Sequence, residues 1–361
     1  MKLALFRADG SHRLGVGHIM RCLALAQGLE ETGVRPVFVI RDYEPEITEL
    51  IQQYGYDVET IAQDSSFPED AFLTSEFASQ HGVKLILTDL SNANALANLD
   101  EYGRYLETLK ATGKFLITID GLGEDSISTK MPFPCDIVII PYYGAENRNY
   151  KFYSSTKSLL GPAYFIFRKE FIEAAKASRV MKEDAQNILV TIGGSDPLNL
   201  TVKVARALDR LSVTSLNLRI VIGPGFADSV RQELERTLKG FKGNYELIME
   251  SNNLADLMLW ADLAITGGGL TKYETAVSGT PSIVISQDEH QLEPTKEFER
   301  CGTILHLGFS SKVDEVDIAK AVEKLLADDA LRAEMSEKGW NLVDGKGIER
   351  VISEIPQEVL A

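Results

Sequence analysis

A histidine and an arginine share one short glycine-containing stretch, Gly15-x-Gly17-His18-x-x-Arg21. An apolar segment that reads as a strand precedes it, and a segment with helical periodicity follows. Glycines at 15 and 17 permit a tight turn and let a ligand approach the backbone closely. The first turn of a helix disfavours an imidazolium, so a neutral His18 there suits the work of a general base. Arg21 lies three residues on, roughly on the same face, where its cation would offset phosphate charge. The plainer alternative is a histidine that caps or packs at a helix start; Arg21 and the two glycines weigh against it. A dinucleotide fingerprint wants a third glycine where Met20 stands, so the stretch does not predict a nicotinamide cofactor. Asp9 and His12 in the preceding loop are candidates to orient His18.

Two further glycine stretches occur in the second half of the chain. Ile192-Gly193-Gly194-Ser195-Asp196-Pro197 ends a strand, and Ser195, Asp196 and Asn199 are all natural helix caps. Gly194 and Ser195 are read as ligand contacts, with an ordinary strand-to-helix turn as the equal alternative. Thr266-Gly267-Gly268-Gly269-Leu270-Thr271-x-x-Glu274 joins a strand to a helix. Backbone from Gly267 to Thr271 would cradle a diphosphate. Glu274, one turn in, would accept two hydrogen bonds from a ribose diol. Gln291, after the next strand, is a candidate sugar or phosphate contact, whereas Lys272 is expected in solvent. In the first half, Asp89 and Asp120 end strands and Tyr142 and Tyr143 follow one. These places suit reading sugar hydroxyls, or equally capping the next helix.

The elements that must position these residues follow a βαβ rhythm. Strands are predicted at 2–7, 35–40, 84–88, 114–119 and 136–140, with helices at 18–32, 45–54, 69–81 and 95–112. The pattern restarts with strands at 187–192, 217–222, 245–249, 262–266, 282–285 and 303–306. Helices are predicted among them at 200–211, 227–239, 254–260, 271–278 and 294–300, then at 315–327 and 330–339. This predicts α/β architecture: two Rossmann-like, doubly wound domains in tandem with an interdomain cleft that the strands' carboxyl ends face. The expected divisions are a first domain at 1–160, a connector at 161–184, a second domain at 185–339 and a tail helix at 340–361.

Composition narrows the function classes. The 361 residues carry 37 Lys and Arg against 53 Asp and Glu, a net charge of −16. Such a surface argues against nucleic acid as a partner and against a polybasic grip on anionic lipid. An anionic substrate must therefore be held by a local device. The longest apolar runs fall far short of the roughly 20 residues of a membrane span, and the N-terminal run is too short for a signal peptide, so a cytoplasmic location is expected. Cys22, Cys135 and Cys301 are scattered and predict neither a disulfide framework nor a zinc site. No Asp-x-Asp, Walker A loop, Gly-x-Ser-x-Gly or His-Glu-x-x-His occurs. No metal and no cofactor is predicted, and diphosphate charge would be balanced by dipoles and arginine.

With these motifs in view, the chain resembles the UDP-2,4-diacetamido-2,4,6-trideoxy-β-L-altropyranose hydrolases of pseudaminic acid synthesis. It is also similar to the spore-coat polysaccharide proteins. Both groups are relatives of the N-acetylglucosaminyltransferase that makes lipid II. The likeness rests on Arg7-Ala-Asp9 through Cys22, Gly161-Pro162-x-Tyr164-x-x-x-Arg168-x-Glu170-Phe171, Gly193 to Asn199, and Ala261-Asp262 to Glu274. It implies a GT-B-like fold whose C-terminal domain holds the nucleotide, with His18 at the position of the family's catalytic base and Glu274 at that of its ribose contact. Three positions depart from patterns that several of the hydrolases carry: Leu270 and Tyr273 stand within Gly-Gly-Ser-Thr-x-Trp-Glu, and Gly121 follows Asp120 where they often show Asp-Asp. The expected activity is hydrolysis of a UDP-activated deoxy amino sugar to UDP and free sugar. The alternatives are a GT-B glycosyltransferase acting on an acceptor hydroxyl, a UDP-sugar 2-epimerase, and a non-catalytic nucleotide-sugar binder.

Overall fold

The computed structural model describes residues 2–11, 15–90, 92–177, 179–213, 215–249 and 253–360. Contacts divide the chain into two compact units, Met1–Arg168 with Lys346–Ala361, and Lys169–Gly345. In the first unit the elements run β1 (Lys2–Ala8), α1 (Gly17–Glu30), β2 (Val34–Arg41), α2 (Pro45–Gln53), β3 (Asp57–Ile61), α3 (Phe67–Gln80), β4 (Leu85–Asp89), α4 (Asn92–Ala97), α5 (Leu99–Ala111), β5 (Phe115–Ile119), β6 (Ile137–Ile140) and β7 (Lys157–Leu160). The sheet is parallel throughout, in the order β3-β2-β1-β4-β5-β6-β7. Strands β4 and β6 are buried at every position, which is why they read as unbroken apolar runs.

Two strands lie outside the sequence expectation. Strand β3 is half exposed and reads Asp-Val-Glu-Thr-Ile, and β7 is a four-residue edge opening with Lys and Ser. Edge strands are short and polar because their outer rim meets water, so neither shows a buried-strand pattern. The single helix expected at 95–112 is two, broken where Asn98 leaves helical geometry (φ −138°, ψ 56°).

The second unit runs α6 (Lys169–Ala174), β8 (Asn187–Thr191), α7 (Leu200–Asp209), β9 (Asn217–Ile222), α8 (Asp228–Leu238), β10 (Asn244–Met249), α9 (Leu254–Trp260), β11 (Leu263–Gly267), α10 (Thr271–Val277), β12 (Ser282–Ser286), α11 (Glu289–Glu299), β13 (Ile304–Phe309), α12 (Glu315–Ala327) and α13 (Asp329–Leu342). Its parallel sheet has the order β10-β9-β8-β11-β12-β13. Helix α11 begins five residues before its expected start at Pro294. Asp288 caps it by accepting from the Gln291 N–H, and Pro294 lies inside it. The chain then returns to the first unit with α14 (Gly347–Ser353) and α15 (Gln357–Leu360). A Cβ at Gly347 would collide with the Phe165 backbone, and one at Gly28 of α1 with the Ile348 side chain. The tail thus packs tightly on the helix that opens with the Gly-His stretch.

Among the described residues no helix is long and apolar enough to cross a membrane. Cys22 and Cys135 are buried and Cys301 is half-buried, all as free thiols.

The carboxyl end of β1 is fixed by a buried charge network. Arg7 is fully buried and satisfies all five guanidinium N–H groups. Nε and Nη2 donate to Asp70 (3.0 and 2.6 Å), Nη1 and Nη2 to Asp9 (2.6 and 3.1 Å), and Nη1 to the Ala8 carbonyl (3.0 Å). Arg41 joins from β2 through its backbone N–H to Asp9 (2.9 Å) and its side chain to Asp70 (3.2 Å). Two cations face two carboxylates, so β1, β2 and α3 are tied together at the point where the chain leaves for the His18 loop. Removing one member strands a buried charge. Arg7→Met is expected to destabilise the first unit by about 3–5 kcal/mol, read as a lowered urea midpoint.

Candidate active site

The order of the first sheet reverses between β1 and β4, the place where doubly wound sheets leave a crevice at their carboxyl ends. His18, Arg21 and Asp89 meet there. Gly15 adopts φ +80°, a conformation glycine tolerates, and its N–H donates to the Ser11 carbonyl (2.8 Å). The turn delivers Gly17 as the first residue of α1 and His18 as the second, half exposed. The His18 Nδ1 lies 2.7 Å from Asp89 Oδ1. Arg21 grips the same carboxylate through Nε and Nη2, both at 2.7 Å, and donates through Nη1 to the Tyr142 hydroxyl (2.7 Å).

Asp89 is fully buried. Burial pushes its pKa up, but the Arg21 and His18 interactions outweigh this and hold it at about 2. The carboxylate is therefore ionised at neutral pH and can only accept. Nδ1 of His18 must carry the proton that Asp89 accepts, so in the neutral ring it is Nε2 that holds the lone pair. This is the tautomer of an oriented general base.

Three residues singled out from the sequence are engaged by partners within the protein. Asp9 does not orient His18, because its oxygens are taken by Arg7 and Arg41; His12 lies outside the described residues. Asp89, expected as a sugar contact, is buried and engaged by His18 and Arg21. Arg21, expected to offset phosphate charge, is buried and donates to Asp89 and to the Tyr142 hydroxyl. The only sequence signal for Asp89 as the orienting group was an acid ending the strand that pairs with β1. Asp120 is also occupied, accepting from Gly121, Ile127 and Ser128 N–H groups and the Ser126 and Ser128 hydroxyls, and so builds its own loop.

The second unit repeats the reversal between β8 and β11, and two glycine stretches meet there. A Cβ on Gly267 would lie 2.5 Å from the Ile192 carbonyl, so the ends of the two strands approach this closely only with glycine. Gln287 bridges them, donating through Nε2 to the Ile192 carbonyl (2.9 Å). Its backbone N–H donates to Gln291 Oε1 (3.0 Å), which places Gln291 against Gly268. Gly194 and Ser195 are exposed, and a Cβ on Gly194 or Gly269 would meet nothing within 4 Å. Leu270 is exposed, while Thr271 and Glu274 are half-buried in the first turn of α10. Asp196 is the cap of α7, accepting from the Leu200 and Thr201 N–H groups (2.8 and 2.7 Å). Asn199 stands at φ 53° and its side chain makes no cap hydrogen bond.

Sequence reasoning missed three contributors here. Gly223 and Gly225, flanking a proline after β9, press on the Gly193–Gly194 turn, and Gly225 N–H donates to the Gly194 carbonyl (2.9 Å). Lys272, expected in solvent, is buried with its ammonium on the Gly268 and Gly269 carbonyls (2.8 and 3.0 Å). Its place one residue into a helix gave no sign of this.

Residues 187–351 match the glycosyltransferase family 28 C-terminal domain. The spore coat polysaccharide biosynthesis protein SpsG of Bacillus subtilis (strain 168) is 30% identical over 355 residues, 97% of this chain and 96% of that protein. This chain belongs to the SpsG family. The UDP-2,4-diacetamido-2,4,6-trideoxy-β-L-altropyranose hydrolase of Campylobacter jejuni is 25% identical over 260 residues, covering 70% of this chain and 80% of its own. Among solved structures, MurG of Acinetobacter baumannii superposes with a TM-score of 0.70 at 16% identity, covering 99% of this chain and all of that one. The fold is accordingly GT-B-like, in a nucleotide-sugar-related, glycosyltransferase-like family.

Two measurements check the first cluster. Nitrogen NMR of His18 at neutral pH should show a protonated Nδ1, and Asp89→Asn should populate the other tautomer. The depressed Asp89 pKa contributes about 2 kcal/mol of stability. Because the folded value lies below the unfolded one, that contribution is complete above about pH 4 and is lost as pH falls toward 2. Acid unfolding of Asp89→Asn should lack this component.

Proposed function

We propose that the chain hydrolyses a UDP-activated deoxy amino sugar of the 2,4-diacetamido-2,4,6-trideoxyhexose type, releasing UDP and free sugar in the cytoplasm. The observation that carries the reading is the His18–Asp89 pair, which supplies an oriented base with an open Nε2. His18 Nε2 takes a proton from water as its oxygen bonds the anomeric carbon. The bond from that carbon to the diphosphate oxygen breaks, and its electron pair leaves with UDP. Asp89 stabilises the imidazolium that forms. The backbone of Gly267–Gly269 receives the diphosphate, Gln291 and the Gly194–Ser195 turn border it, and Glu274 holds the ribose. A single displacement inverts the anomeric centre. The similarity to a protein named as a hydrolase of such a sugar supports this choice.

The match to a glycosyltransferase family domain favours a second reading, in which an acceptor hydroxyl takes the place of water. One assay separates them. Purified protein incubated with the UDP-sugar and no acceptor should yield UDP and the inverted free sugar by proton NMR. His18→Ala should lower turnover by about 10²–10⁴-fold while still binding UDP. UDP release only on addition of an acceptor would establish the transferase, and wild-type turnover by His18→Ala would remove the assigned base.

A further inference from the structure

Lys272 is 5% exposed, and among the described residues no carboxylate pairs with it. Arg7 faces Asp9 and Asp70, and Arg21 faces Asp89, whereas buried Arg332 donates, as Lys272 does, to backbone carbonyls, those of Leu325, Leu326 and Lys182. Lys272 donates to two successive carbonyls of the glycine loop, Gly268 at 2.8 Å and Gly269 at 3.0 Å. Thr295 donates to the first of these as well, at 3.3 Å. The ammonium stands 5.7 Å from the ring centres of both Tyr273 and Phe298, whose faces favour a cation. Burial lowers its pKa to about 8, so most of it remains charged at neutral pH.

In a trans peptide the C=O and the following N–H point in opposite directions, and among the described residues there is no cis peptide. Two carbonyls drawn inward onto Lys272 therefore turn the N–H groups of Gly269 and Leu270 outward, on a loop where a Cβ at Gly269 would meet open space. We infer that Lys272 is a positioning residue for the diphosphate: it sets the glycine loop with its N–H groups toward the phosphates and lends them a buried charge that no carboxylate cancels. A charge held in a low-dielectric interior acts over several ångströms with little screening. The inference rests on the nucleotide reading given above and goes beyond it by naming what polarises the loop.

The test compares UDP with uridine, which lacks phosphates, by titration against wild type, Lys272→Met and Lys272→Gln. Lys272→Met should weaken UDP binding by about 10- to 100-fold while uridine binding and the thermal unfolding profile stay as in wild type. Lys272→Gln keeps a donor without the charge, should fall between the two, and carries the same comparison if the methionine variant does not fold. UDP binding unchanged in both variants would overturn the inference and leave the nucleotide reading intact. Equal losses for UDP and uridine would overturn it too, by showing a general structural role. A wild type that binds UDP no better than uridine would remove the nucleotide reading, and this inference with it.

Discussion

A buried carboxylate that can only accept hydrogen bonds is the constraint on which the first unit's chemistry depends. Asp89 closes β4 and receives His18 and Arg21 of α1 at 2.7 Å each. One oxygen orients the imidazole; the arginine keeps the carboxylate ionised inside the protein. Without Arg21 the desolvation of Asp89 would be uncompensated, and without Asp89 the imidazole would have no preferred tautomer. Arg21 thus serves the histidine indirectly, by making its partner an anion. The Arg7 network sits just before this cluster in the chain and holds the strand end from which the loop departs.

The second unit solves a different problem with different means. An anion site needs donors and positive potential, yet the chain carries a net charge of −16. Its glycine stretches let strand ends and turns approach to distances a Cβ would forbid. Gln287 and Gln291 lock the approach with amide hydrogen bonds. On the proposed reading the potential is local, from a buried ammonium and oriented peptides, which would let a strongly acidic protein present a receptive surface to phosphate.

The buried strands were legible in the sequence because parallel strands covered on both faces leave continuous apolar runs, as in Ile137–Ile140. Strands β3 and β7 were not, since an edge strand has one rim in water and a mixed sequence. The glycine stretches and His18 were visible as local patterns. Their partners were not, because partnership depends on strand order. Asp89 is 71 residues from His18 and becomes its neighbour only because β4 lies beside β1. Lys272 was misjudged for the same reason: its burial comes from Phe298 of α11 and the folded-back glycine loop, not from its own surroundings in the chain.

The first unit is discontinuous, with a whole second unit inserted before its last two helices. Helix α14 seats Ile348 against Gly28, toward the far end of the helix whose opening turn bears His18. During synthesis that helix is made early, but its clamp emerges only after some 180 further residues have folded into another body. An unfinished polypeptide therefore presents α1 without the helix that packs on its far end.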